Sequence, residues 1–145
     1  MAVITFQGTL IAGSGGGGEL LVSNEPLSFW GGYDHGSGEI IDRRHPLSGT
    51  CAAGKVLAVP FTRGSSTTTA VLLEAIRNGT APAALITTGV DSFFALASIV
   101  ADEMYGTPLT VLALAPEDFA RLRGGAQVRI GEDGRLEMRW EEEAG

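Results

Sequence analysis

The residues best suited to chemistry lie between Thr62 and Thr69, in the run Thr-Arg-Gly-Ser-Ser-Thr-Thr-Thr. The run follows the continuous apolar stretch Lys55–Phe61, typical of a strand covered on both faces, and it precedes a helical pattern. Ligands of open α/β sheets bind at the carboxyl ends of strands, and a helix N-terminus favours anions there. Two interpretations stay open: a cap made of hydroxyls, or an anion site at the helix N-terminus to which Arg63 adds a full charge.

Ser65 lies in the middle of this run, but the run alone does not make it a base. A helix N-terminus supplies about 0.3–1 kcal/mol, and up to about 2 kcal/mol when partly buried. One pKa unit corresponds to about 1.36 kcal/mol, so the dipole lowers the hydroxyl pKa by roughly one unit, which is insufficient. The sequence shows no Ser-His-Asp arrangement. Alkoxide chemistry at Ser65 would therefore need cations or a metal supplied from outside this chain.

A second pattern, Gly13-x-Gly15-x-x-Gly18, matches the glycine fingerprint of dinucleotide-binding proteins. That function requires the third glycine to open a helix whose N-terminus binds the pyrophosphate. Only Glu19 to Ser23, which resemble a short strand, follow before Asn24-Glu25-Pro26 break the chain. We therefore expect a flexible surface loop here rather than a dinucleotide site.

The two histidines, His35 and His45, lie near Asp34, Asp42 and Cys51 in the sequence. Their spacings match no common metal-ligand pattern, so turn or interface roles are favoured over a metal site. Cys51, the single cysteine, excludes an internal disulfide and is expected to be a small packing residue. The sequence does not assign a function to any of the five.

Composition narrows the class of protein. The chain has 145 residues, with 44% hydrophobic and 19% charged, which excludes an intrinsically disordered protein. A net charge of −7 argues against a nucleic-acid partner. No stretch reaches about 18 apolar residues, and the N-terminus lacks the basic segment of a signal peptide. We expect a cytoplasmic protein with no membrane contact.

The elements that must position these residues change character along the chain. The first half predicts β structure, with one strand over 3–12 and an irregular loop or bulged hairpin over 27–38, where Phe29 and Trp30 are either core or surface awaiting a partner. The second half predicts β-α-β-α-β with a parallel sheet, and its second helix, capped by Asp91, should be heavily buried. We expect one domain over 1–145, with a hairpin and acidic tail over about 126–145.

Several ordered motifs between about residues 5 and 115 resemble the small subunit, or swivel domain, of aconitase X. The resemblance implies a swivelling β/β/α domain like the mobile domain of aconitase. Its motifs are Ser28-Phe29-Trp30-Gly31-Gly32-Tyr33-Asp34, Gly38-Glu39-Ile40-Ile41-Asp42, His45-Pro46-Leu47, Gly49, Gly54-Lys55-Val56-Leu57, Pro60, Arg63-Gly64-Ser65-Ser66 and Ala81-Pro82-Ala83-Ala84.

The resemblance also implies a hydro-lyase shared between two chains. A large subunit would hold an iron or iron–sulfur centre that acts as Lewis acid on the departing hydroxyl, and this chain would hold no metal. Ser65 matches the serine that removes the substrate proton in aconitase. Thr67 stands where aconitase has an arginine, which argues against citrate, and Arg63 would replace that contact. A nearby metal in a closed site would strengthen every charge interaction at Ser65.

Two small hydroxy acids are implied as substrates. The resemblance also implies that Arg63, Gly64, Ser66 and Thr67 bind the substrate. Bacterial members dehydrate cis-3-hydroxy-L-proline to Δ1-pyrroline-2-carboxylate, and archaeal members act on mevalonate 5-phosphate. Trp30, the Arg-Gly-Ser-Ser-Thr-Thr-Thr run and the predominance of Arg over Lys favour the bacterial type. A hypothesis of another class is a non-catalytic module that docks or binds anions.

Overall fold

The computed structural model describes residues 1–62 and 67–142. In that part of the chain, strands and short helices dominate the first 60 residues and two longer helices follow. In chain order the elements are β1 (Ala2–Gln7), β2 (Thr9–Ala12), β3 (Gly16–Val22), α1 (Phe29–Gly32), β4 (Val56–Ala58), α2 (Thr67–Asn78), β5 (Ala84–Thr87), α3 (Ser92–Tyr105), β6 (Thr110–Ala113), α4 (Pro116–Phe119), β7 (Gln127–Ile130) and β8 (Arg135–Trp140).

These strands form one mixed sheet in the order β1-β8-β7-β3-β4-β5-β6-β2. β4, β5 and β6 are parallel, and α2 and α3 connect them, so the predicted β-α-β-α-β unit is confirmed. The hairpin of β7 and β8 is also confirmed. β3 joins the two parts, since Gly16–Glu19 pair antiparallel with β7 and Leu20–Val22 pair parallel with β4.

Side chains that alternate along the parallel strands fill two hydrophobic cores. Leu57, Leu85 and Val111 belong to the cluster that includes Leu72 of α2 and Phe94 of α3. Their neighbours along the strands enter a second cluster with the β7–β8 hairpin and α4, namely Val56, Ala58, Ala84, Ile86 and Leu112. Both faces of the parallel strands are thus covered, as their unbroken apolar sequences predict.

The glycine run was predicted as a flexible loop, and that prediction is wrong for Gly16–Gly18, which open β3. Strand pairing with β7 overrides the poor strand propensity of glycine. A Cβ on Gly17 would lie 2.6 Å from the backbone oxygen of Val128, so the close pairing itself requires glycine. Because a strand and not a helix follows Gly18, the dinucleotide interpretation is wrong.

The single strand predicted over 3–12 is in fact two strands that part at Gly8. β1 pairs with β8, whereas β2 pairs with β6 at the other edge of the sheet. The loop predicted over 27–38 contains one distorted helical turn, α1, in which Trp30 and Gly31 have non-helical dihedrals. A bridge between Tyr33 and Ile40 then gives the hairpin character that was expected.

Helix α3 begins after Asp91 and ends at Tyr105, as predicted, but the prediction that it is heavily buried is wrong. Phe94, Ala97 and Ser98 face the interior. Leu96, Ile99 and Met104 are exposed. Among the described residues, no helix is long and apolar enough to cross a membrane.

Candidate functional site

The segment singled out by the sequence joins the carboxyl end of β4 to the start of α2. Arg63, Gly64, Ser65 and Ser66 lie outside the described residues, so their predicted roles stay predictions. Thr62 and Thr67, which flank them, are described. Thr67 is half-buried and is the first residue of α2. The described part of the site therefore consists of the residues on either side of this segment.

Thr62 is held on two sides at the entry to this segment. Its backbone N–H and its hydroxyl both donate to Oδ2 of Asp91, at 2.8 and 2.9 Å. On its other side it forms a parallel bridge with Leu27, a fully buried residue. Thr62 itself is only 9% exposed. The chain therefore enters the segment from a fixed point.

Asp91 serves two elements with one carboxylate. Its Oδ1 accepts from the backbone N–H groups of Phe93 and Phe94, at 3.1 and 3.3 Å, and so caps α3 as predicted. Its Oδ2 accepts both hydrogen bonds that Thr62 donates. Asp91 is buried, and four donors satisfy its two oxygens. The bonds to Thr62 were not predicted, since they join residues 29 positions apart.

The first turn of α2 contains two more buried hydroxyls. Thr69 donates from Oγ1 to the backbone oxygen of Phe93 at 3.3 Å, which ties the start of α2 to the start of α3. The hydroxyl of Thr68 is buried and makes no hydrogen bond within the described ranges. In the sequence, Thr68 is one of a run of hydroxyls that could cap the helix, and no pattern distinguishes it from its neighbours.

Large apolar side chains lie exposed around this site. Phe61 and Val90, which precede Thr62 and Asp91 respectively, are 53% and 74% exposed. Trp30 is 70% exposed and follows Leu27, the backbone neighbour of Thr62, by three residues. We call Trp30, Phe61 and Val90 the apolar rim. Of the two residues left open above, Phe29 is therefore core and Trp30 is surface.

His45 has the turn role that its sequence context favoured. Its Nδ1 accepts from the N–H of Leu47 at 3.1 Å, so the proton is on Nε2, which donates to the backbone oxygen of Glu25 at 3.2 Å. Asp42 accepts from the N–H of Arg44 at 3.0 Å. These contacts use both ring nitrogens of His45 inside the protein.

Asp34 and Cys51 lie in a neighbouring hairpin. Hydrogen bonds from the Gly36 N–H and the Ser37 hydroxyl lower the pKa of the exposed Asp34 carboxyl. Cys51 is exposed, so its prediction as a packing residue is wrong, and the neighbouring Ala52 is the buried one. The backbone oxygen of His35 accepts two side-chain hydrogen bonds.

Buried Tyr33 donates to the backbone oxygen of Thr80 at 2.7 Å. Burial is the main cause that raises the pKa of its phenol above the usual value, and the nearby Cys51 raises it further. Within the described ranges, no group of three or more His, Cys, Asp or Glu is arranged to hold a metal ion.

Comparison with known proteins agrees with this architecture. The family model "Aconitase X swivel domain" matches residues 5–138. The chain is 48% identical over 130 residues to cis-3-hydroxy-L-proline dehydratase of Pseudomonas aeruginosa, covering 90% of this chain and 22% of that protein. The chain thus spans about a fifth of that relative's length.

Two further matches extend over nearly whole proteins. The small subunit of phosphomevalonate dehydratase from Thermococcus onnurineus is 35% identical over 128 residues, which are 88% of this chain and 92% of that subunit. The crystal structure of Thermococcus kodakaraensis aconitase X in its holo-form superposes with a TM-score of 0.83 at 29% identity, covering 94% of this chain and 99% of that chain. With the family model matching most of its length, this chain belongs to the aconitase X swivel domain family.

Proposed function

We propose that this chain is the small subunit of a heteromeric, iron-dependent hydro-lyase that dehydrates cis-3-hydroxy-L-proline to Δ1-pyrroline-2-carboxylate. The observation that carries the proposal is the 48% identity, over 90% of the chain, to a dehydratase of that substrate. A larger partner subunit is supported by relatives that are named as small subunits, such as that of phosphomevalonate dehydratase from Thermococcus onnurineus.

Ser65 is the catalytic base in this proposal. Its oxygen takes the proton from C2 of the substrate, the electron pair forms the C2=C3 double bond, and the C3–O bond breaks as the hydroxyl leaves. The enamine then tautomerises to the cyclic imine. Support comes from the position of Ser65 between the carboxyl end of β4 and the N-terminus of α2, a 12-residue helix.

The substrate carboxylate would be bound by the groups that flank Ser65. Arg63 offers a guanidinium suited to bidentate contact, and the amides of Gly64, Ser66 and Thr67 precede or begin α2. An anion there is favoured by the helix dipole, at about 0.3–1 kcal/mol for an exposed site. Binding of the carboxylate there would bring C2, the carbon to which it is bonded, close to Ser65.

Enzymes of the aconitase X family are hydro-lyases of the iron–sulfur type. The donors of this chain do not fit such a centre, because iron–sulfur clusters are held mainly by cysteine thiolates and the sequence has one cysteine. That cysteine, Cys51, belongs to no cluster of metal-ligating side chains in the described part of the chain. We therefore assign the iron centre to the larger subunit.

The apolar rim is the surface we assign to contact with the larger subunit. Phe61 directly precedes Thr62, the last described residue before Ser65 in the chain, and a reaction shared between two chains needs their surfaces to meet near Ser65. Tryptophan at the centre of a contact is a frequent source of binding energy. The occupant in this proposal is a chain that corresponds to the part of the Pseudomonas aeruginosa relative beyond the 22% matched here.

Mevalonate 5-phosphate is the second candidate substrate. It is favoured by one observation: the phosphomevalonate dehydratase small subunit of Thermococcus onnurineus is a separate chain of similar extent, of which 92% is matched. A phosphate would use the same helix N-terminus and Arg63 as a carboxylate.

The test is to co-express this chain with the aconitase X large subunit of the same organism and to assay both substrates. We expect the chain alone to be inactive and the complex to dehydrate cis-3-hydroxy-L-proline. Ser65→Ala should lower kcat at least 100-fold, on the order of a lost general base, with assembly intact. Ser48→Ala, at an exposed serine, is the matched control.

Three results would change the proposal. Turnover of mevalonate 5-phosphate alone would replace the substrate. Full activity of the Ser65→Ala complex would remove Ser65 from the mechanism. A complex without dehydratase activity, together with phosphate binding by the isolated chain, would favour the non-catalytic docking or anion-binding module.

A further inference from the structure

We infer that Asp91 is a positioning residue for this reaction, because it links Thr62 and Thr69, which precede and follow Ser65 in the chain. The inference rests on the proposed function, in which Ser65 removes the substrate proton. The proposed function gives Asp91, Thr62 and Thr69 no role in substrate binding or in the chemical step.

The entry end of the segment is fixed directly. After Val59 donates to the backbone of Ile86 and Pro60 accepts from Thr88, the Thr62 N–H finds its acceptor in Oδ2 of Asp91. The Thr62 hydroxyl bonds to the same oxygen. One carboxylate oxygen thus determines both the backbone and the side-chain orientation of the last residue before the segment.

The exit end is fixed through α3. Oδ1 of Asp91 accepts from the N–H of Phe93, and the carbonyl oxygen of Phe93 accepts from the hydroxyl of Thr69, in the first turn of α2. The path from Thr62 to Thr69 through Asp91 therefore consists of hydrogen bonds and the backbone of one residue, Phe93. This path joins residues that precede and follow the segment, and it includes no residue of the segment itself.

Burial makes this link stiff. Thr62, Thr69 and Asp91 are each about nine-tenths buried, so water does not compete readily for their hydrogen bonds. Bonds to a carboxylate are roughly twice as strong as neutral ones. A cap on α3 needs only Oδ1, so the use of Oδ2 for Thr62 is a separate function of the same side chain.

Four variants test the inference in the assembled complex. Thr62→Val removes the hydroxyl donor but keeps the N–H bond and the cap of α3, whereas Thr62→Ser keeps both bonds. Asp91→Asn keeps one oxygen, enough to cap α3, and loses the acceptor for Thr62. The control, Ser98→Ala, removes another buried hydrogen bond of α3, the one to the backbone oxygen of Leu109.

We expect Thr62→Val and Asp91→Asn to lower kcat by about 10- to 100-fold, as misplacement by about 1 Å does. KM should rise as well, because the same segment carries Arg63, and assembly should be unchanged. Thr62→Ser should restore most of kcat. Ser98→Ala should lower stability but not kcat. A matching loss of kcat in Ser98→Ala would overturn the inference, because the effect would then follow stability alone.

Ser65→Ala, measured in parallel, separates the two proposals. Normal kcat in Asp91→Asn and Thr62→Val beside an inactive Ser65→Ala would overturn the positioning role and leave the proposed function standing. Full activity in Ser65→Ala would overturn the role of Ser65 and the positioning role with it.

Discussion

Thr68 differs from the other hydroxyls at the start of α2. It is buried, yet its Oγ1 makes no hydrogen bond in the described part of the chain, whereas that of Thr69 donates to Phe93. A buried polar group without a partner costs about 1–3 kcal/mol. Helix propensity does not explain the threonine, since valine is about as good a helix former.

We predict that Thr68→Val raises the free energy of unfolding by about 1 kcal/mol, because it replaces an unpaired hydroxyl by a methyl of similar size. The matched change, Thr69→Val, should lower it by about 0.5–1.5 kcal/mol through the lost bond to Phe93. Urea unfolding of both variants is the measurement. Equal destabilisation by the two changes would show that the Thr68 hydroxyl has a partner in solution.

Single residues illustrate how far the sequence could predict this site. Asp91 was predicted to cap α3 because a cap depends on neighbours within four positions. Its bonds to Thr62 were not predicted, because they depend on how β4 and β5 pair. Ser65 was identified by residue type and by a family motif, and its position lies outside the described residues.

At the scale of elements, local sequence patterns predicted the boundaries of α3 more accurately than its burial. Asp91 caps the start of α3 as predicted, and Gly106, after Tyr105, adopts the left-handed conformation typical of a helix end. Apolar residues on most sides of the helix led to the wrong expectation that it is heavily buried. Periodicity reports which residues are apolar, but coverage depends on other elements, and the outer face with Leu96 and Ile99 stays exposed.

The apolar rim gives the prediction that belongs to this scale. Trp30→Ser should weaken binding to the large subunit at least about 30-fold, the equivalent of a 2 kcal/mol hot spot. The free energy of unfolding of Trp30→Ser should change little, because the Trp30 side chain is already exposed. Titration of the large subunit with each variant measures Kd.

Val3→Ser is the control for this experiment. Val3 is also exposed, at 54%, but it lies on the edge strand β1. An unchanged Kd in Trp30→Ser, or an equal loss in Val3→Ser, would exclude the rim as the docking surface.

At the scale of the whole molecule, β3 connects the antiparallel strands to the parallel ones. The parallel unit was predicted because strands and helices alternate in the sequence. The role of β3 was not predicted, because glycine in a strand is disfavoured locally and is selected here by close pairing with β7. Long-range pairing of this kind has no signal within the segment itself.

The glycine at position 17 therefore tests how the two parts are joined. In Gly17→Ala the new Cβ would meet the backbone oxygen of Val128 at 2.6 Å, and backbone cannot rotate away as a side chain can. We predict a loss of about 1–3 kcal/mol in the free energy of unfolding, the usual cost of overpacking. Gly124→Ala, where nothing lies within 4 Å of the new Cβ, should change stability little. Urea unfolding measures both variants, and equal stability of the two would mean that β3 and β7 separate at this point without cost, so that the pairing would not be what requires glycine in the strand.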